Sequence, residues 1–195
     1  MGFYVMYGES CVENYAVPGE QIRSLEKGCL NSEFQFLTHD AIEVELGEGG
    51  IYFPDYIIYG CIPLISDKFY NFLQEQSVDY LFYKPVGLTY PDLGIREQYW
   101  LALPPRINCL DMESSEVITE DNEYLDESEL MREAKKIVIV PPQLGRYNIF
   151  RLANVVNDEI IVTEEFKEML EKEKFENVYF ADLEEWRCQC KHQEP

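Results

Sequence analysis

One pattern constrains this chain more than any other: a strand, a capped helix and a second strand are written twice. Ile65 to Tyr83 aligns without a gap on Val162 to Phe180, at a constant offset of 97 positions (163 minus 66). Ser66 and Thr163 supply hydroxyls that cap a helix, and acids follow at Asp67 and at Glu164 and Glu165, where the helix dipole is positive. Phe69, Phe72 and Leu73 match Phe166, Met169 and Leu170, a spacing that puts three large apolar groups on one helix face. Val78, Leu81 and Tyr83 then match Phe175, Val178 and Phe180. Duplication, or two equivalent helices docked on sheet, explains this pattern; chance likeness between short capped helices is the alternative.

Strand signals, rich in Tyr, Ile, Val and Phe, recur at 3–7, 34–37, 42–46, 56–59, 80–83, 99–103, 137–140, 149–153 and 159–162. Helical signals are fewer: 18–27, 66–76, 128–135 and 163–174. Pro104-Pro105 and Pro141-Pro142 each follow a strand-like run, where a missing N–H ends a ladder. Gly47-Glu-Gly-Gly50 reads as a tight hairpin turn. The expected class is α+β, with strand-rich mixed sheet and a few short helices. The length, 195 residues, fits one domain; the alternative division is into two lobes, 1–110 and 134–187, joined by an acidic segment, 111–133.

Charge is the outlying property. Thirty-seven acidic against 16 basic side chains give a formal net charge of -21. A phosphate-binding surface needs the opposite sign, so nucleic acid is not the expected partner. A membrane is not expected either, because no run of about 18 apolar residues occurs. The start lacks a secretory pattern, so the expected location is cytoplasmic. The six cysteines then read as reduced thiols, with Cys29, Cys61 and Cys109 as small core side chains.

The most charged stretch runs from Asp111 to Glu129, with no basic residue before Arg132. Its ordinary meaning is a solvated loop or an exposed helix face. The sharper reading is a docking surface, with Tyr124 and Leu125 as apolar anchors among the acids Glu120, Asp121, Glu123, Asp126, Glu127 and Glu129. Arg106, Arg146 and Arg151 stand by turns or strands in this acidic chain, and internal pairing with carboxylates is their expected role.

Enzymatic signatures are largely absent. There is no Gly-x-Ser-x-Gly elbow, no His-Glu-x-x-His helix and no phosphate loop. His39-Asp40 reads as a turn, since adjacent residues rarely face each other productively. Paired carboxylates are too numerous to nominate an acid and a base. Cys188, Cys190 and His192 are three potential metal ligands, yet zinc usually takes four from two separated pairs, and a terminal tail is the better reading. No catalytic residue, metal or cofactor is therefore expected. A carboxylate-dependent hydrolase and an acidic scaffold protein remain the alternatives to a binding protein.

Pro54-Asp55, Pro63-Leu-Ile-Ser66, Asn108-Cys-Leu-Asp111 with Ser114-Ser115, Ile149-Phe-Arg-Leu152 and Ile160-Ile-Val-Thr163 resemble a bacterial family of immunity proteins from polymorphic toxin systems. The resemblance spans about residues 50–185. It implies a non-enzymatic protein that binds and neutralises a cognate toxin in the producing cell. A toxin acting on nucleic acid is often cationic, which suits an acidic partner. The resemblance does not extend to contact residues or oligomeric state.

Overall fold

The structure, a computed structural model, describes residues 2–10, 12–26, 29, 42–119 and 132–186. Its class is α+β. Twelve strands are described: β1 (Phe3–Tyr7), β2 (Ile42–Glu45), β3 (Tyr56–Tyr59), β4 (Ile62–Ser66), β5 (Phe82–Tyr90), β6 (Ile95–Leu103), β7 (Arg106–Ile107), β8 (Glu116–Thr119), β9 (Arg132–Lys136), β10 (Ile149–Leu152), β11 (Ile160–Thr163) and β12 (Tyr179–Asp182). The two α-helices are α1 (Asp67–Glu75) and α2 (Glu164–Glu173), and Glu20–Leu25 forms a 3-10 helix. One sheet has the order β12-β1-β11-β10-β7, a second β2-β5-β6-β4-β3, and β8-β9 is a separate ribbon.

Both written units fold as read. The Ser66 hydroxyl accepts from the Phe69 N–H at 3.2 Å and the Thr163 hydroxyl from the Phe166 N–H at 3.4 Å, each closing the first helical turn. Phe69, Phe72 and Leu73 on α1 are buried, as are Phe166 and Leu170 on α2. The helices also leave alike: Ser77 and Lys174, 97 positions apart (174 minus 77), both turn the chain through positive φ, at 56° and 53°.

The likeness extends beyond the strands that flank each helix. β4 and β5 are separated by β6, which runs antiparallel to both. β11 and β12 are separated in the same way by β1. β3 lies outside β4 as β10 lies outside β11, again antiparallel. The central strand has a different origin in each sheet: β6 returns from β5 through a hairpin, whereas β1 arrives from the start of the chain. No local sequence signal announces that exchange.

Alternation along the strands divides the interior. Trp100 and Ala102 of β6, with Met6 of β1 and Ile160 and Val162 of β11, join both helices in one shared core. Tyr99, Leu101 and Leu103 face a second core with Ile22, Leu25 and Cys29, and Val5, Phe150 and Ile161 face a third with Cys109 and Leu144. Phe175, just past α2, stacks on Phe69 of α1 with ring centroids 4.3 Å apart and meets Phe72 edge-on at 5.3 Å.

Three expectations need correction. Residues 132–135 were expected to end a helix, but Arg132–Lys136 is β9, paired with β8. Its composition favours helix, yet Asn157 holds Ala134 from both sides, accepting from its N–H at 2.8 Å and donating to its carbonyl at 3.1 Å. Gly47–Gly50 is not a hairpin turn, because β2 and β3 do not pair. The glycines instead admit a close backbone approach: a Cβ on Gly50 would lie 1.9 Å from the Asn14 carbonyl oxygen. Finally, residues 137–140 form only an isolated bridge, Leu110 to Ile139. The expected strand at 34–37 lies outside the described residues.

Candidate partner-binding surface

The seven residues expected to meet a partner, Glu120, Asp121, Glu123, Tyr124, Asp126, Glu127 and Glu129, lie outside the described residues. Their flanks are described. Thr119 and Arg132 face each other across the β8-β9 ribbon, so the acidic segment leaves and returns at one end of it. The ribbon is anchored by Asn157, only 4% exposed, and by the Val156 N–H donating to the Arg132 carbonyl.

A second surface was not read from the sequence. The Tyr15 and Tyr52 rings stack with centroids 5.7 Å apart and planes inclined by 22°. Backbone bonds set this pair, because Ala16 N–H donates to the Tyr52 carbonyl and Tyr52 N–H to the Asn14 carbonyl. The Tyr52 hydroxyl donates to the Glu176 carboxylate at 2.5 Å. Tyr7, from β1, lies 5.7 Å from both Tyr179 of β12 and Trp186. Burial first, and then the electrostatic influence of Tyr179, Glu176 and Glu9, raises the Tyr15 phenol above its ordinary value. The Tyr52 phenol is raised first by its bond to Glu176, so it stays a donor.

The turn carrying Glu176 is held firmly. Its N–H donates to Asp55 at 3.0 Å, and its carbonyl accepts from the Tyr56 N–H at 3.2 Å. Asn177, buried and at φ 61°, accepts from Glu9 N–H and donates to the carbonyls of Glu9 and Tyr56. A short polar side chain that tolerates this conformation suits the position. Asp55 also accepts from the Ser66 hydroxyl at 2.7 Å and from Lys68 at 3.1 Å, joining the cap of α1 to the turn beyond α2. Burial is the strongest influence on its carboxyl and opposes ionisation. The bonds from Glu176, Ser66 and Lys68 together outweigh it and hold the group below the ordinary carboxylate value.

The arginines serve the scaffold. Arg106 pairs with Asp158 at 2.6 Å and donates to the carbonyls of Leu152, Val155 and Asn157. Arg146 meets Asp79 at 3.5 Å on the exposed surface. Arg151, 1% exposed, donates to the Pro104 carbonyl at 3.1 Å and the Cys29 carbonyl at 2.6 Å. Burial first, then the neighbouring Arg106, lowers its guanidinium to about 10. Carbonyls on three segments thus converge on two cations, an arrangement that braces backbone.

The model of the Immunity protein family (Imm11) matches residues 26–185. The chain belongs to that family. The match takes in both repeated units, the β8-β9 ribbon with its acidic segment, and Tyr52, Glu176 and Tyr179 of the aromatic face. It begins after β1, the 3-10 helix and Tyr15, which complete one sheet and half of the tyrosine stack. No curated protein matches this chain. Among the described residues, no group of three His, Cys, Asp or Glu side chains could hold a metal, and no helix is long and apolar enough to cross a membrane. His39, Asp40, Cys188, Cys190 and His192 lie outside the described residues. Cys29 and Cys109 are buried free thiols, and Cys61 is half-buried.

Proposed function

We propose that this immunity protein binds and neutralises a cognate protein toxin without catalysis, in the cell that makes both, and that it meets a cationic surface of that toxin. Membership of the immunity family carries the reading. The formal net charge of -21 gives it direction, because opposite potentials speed encounter and make it sensitive to salt. The acidic residues from Glu120 to Glu129 form one docking element in this reading, carried between the paired ends of β8 and β9. The guanidiniums of Arg106 and Arg151 are engaged internally, by backbone carbonyls and, for Arg106, also by Asp158, which favours a scaffold that displays a surface over one that works on a substrate.

Co-expression with the toxin encoded beside the gene is the test. Growth restored by the immunity protein, and not by the folded product of an unrelated immunity gene, is the expected result. Killing that continues while the folded protein accumulates rejects the proposal.

A further inference from the structure

The face built from Tyr15, Tyr52, Tyr179 and Glu176 has features that a scaffold does not need. Tyr52 is 45% exposed and Tyr179 39%, and Ile51, the chain neighbour of Tyr52, is 59% exposed. A cluster of large apolar side chains left at the surface marks an interaction site more often than single ones do. Tyrosine is the residue type that supplies contact area at small entropic cost. The face is also rigid: Asp55, Tyr56 and Asn177 hold the Glu176 turn through backbone bonds, and Gly50 lets the Tyr15 and Tyr52 segments close on each other. Binding such a face loses little freedom on this side.

Its charge identifies the occupant. Glu9, Glu13 and Glu176 are exposed, and among the described residues none of them enters an ion pair. The described cation–π contacts place Lys68, Arg146 and Lys167 over Phe175, Tyr80, Tyr4 and Phe180, not over the stacked tyrosines. A cleft of about 280 Å³ opens beside Tyr15, with Ala16 and Ile57 among its walls and Glu9 in its lining, room for one long side chain. Aromatic faces, carboxylates and an apolar slot together suit Arg or Lys, whose stem packs while its charge meets acid and ring.

We infer that this face docks a Lys- and Arg-rich segment of the cognate toxin, as a second contact besides the acidic segment at 120–129. The inference rests on the toxin-binding proposal, and the experiment separates the two. The full chain and its variants are titrated with the purified toxin encoded beside the gene, with folding checked by circular dichroism. Tyr52→Ala weakens binding roughly 30-fold, as expected for an interface anchor, and Glu176→Gln roughly 10-fold. Glu165→Gln, the same charge change on the exposed side of α2, alters it less than about 2-fold. Glu176→Lys leaves the backbone bonds of the turn in place, so it keeps the test decisive if Tyr52→Ala unfolds; it abolishes measurable binding. A wild-type protein that does not bind rejects the toxin-binding proposal itself. Wild-type binding with Tyr52→Ala and Glu176→Lys unimpaired overturns this inference alone. A wild-type dimer that Tyr52→Ala splits assigns the face to a second copy of this chain and also overturns it.

Discussion

Replacing Asp55 by Asn tests how the cap of α1 is joined to the turn beyond α2. Asp55 is 8% exposed and receives hydrogen bonds from the Ser66 hydroxyl, Lys68 and the Glu176 N–H. An asparagine oxygen still accepts from Ser66, but its amide nitrogen then faces two donors. Losing a bond to an ionised acceptor and leaving Glu176 N–H unsatisfied costs about 1.5–3 kcal/mol. The Lys68 pair adds no more than about 1 kcal/mol, because the Lys68 side chain is 56% exposed. Together these give about 1.5–4 kcal/mol at neutral pH, a fall in Tm of about 3–16 °C for a domain of this size. The folded carboxyl ionises more readily than the unfolded one, so its contribution is complete above the unfolded value near about 3.9 and is lost as pH falls through the lower folded value. Urea unfolding followed by circular dichroism should therefore show the gap between wild type and Asp55→Asn narrowing below about pH 4. A gap under about 0.5 kcal/mol at neutral pH, or one unchanged in acid, refutes the role assigned to Asp55.

Two further outcomes are expected. Ser66→Ala and Thr163→Ala each lower stability by about 1 kcal/mol in thermal melts, Ser66→Ala the more because its hydroxyl also donates to Asp55; a silent Thr163→Ala would break the equivalence of the two helices. Arg151→Glu aims a carboxylate at the Pro104 and Cys29 carbonyls and lowers stability by about 3–5 kcal/mol, so an unchanged Tm would remove Arg151 from the brace.

What could be read in advance was local. Ser66, Thr163 and the apolar residues three and four places apart name their helices because caps and faces act within one or two turns. β1, β3 and β10 begin where their apolar runs begin, for the same reason. The insertion of β1 between β11 and β12 was not legible, since Tyr4 pairs with Val162 and Asp182 across most of the chain. β9 misled because Glu133, Ala134 and Lys135 favour helix, whereas pairing with β8 and the bonds from Asn157, far along the chain, decide otherwise. The aromatic face fails for a related reason. Tyr15, Tyr52, Glu176 and Tyr179 come from three segments that are unremarkable alone, and a glycine approach and a buried Asp55 bring them together. The acidic segment was conspicuous in composition, whereas its place between β8 and β9 came only from their pairing.

Opposite charge is the proposed basis on which this chain meets a toxin. The direct measurement is the association of the purified full chain with the toxin encoded beside its gene, followed from low to high salt. Stoichiometric inhibition, with an association rate that falls steeply as salt rises while dissociation changes little, is the predicted result. Absence of binding at every salt concentration, or an association rate indifferent to salt, would contradict it.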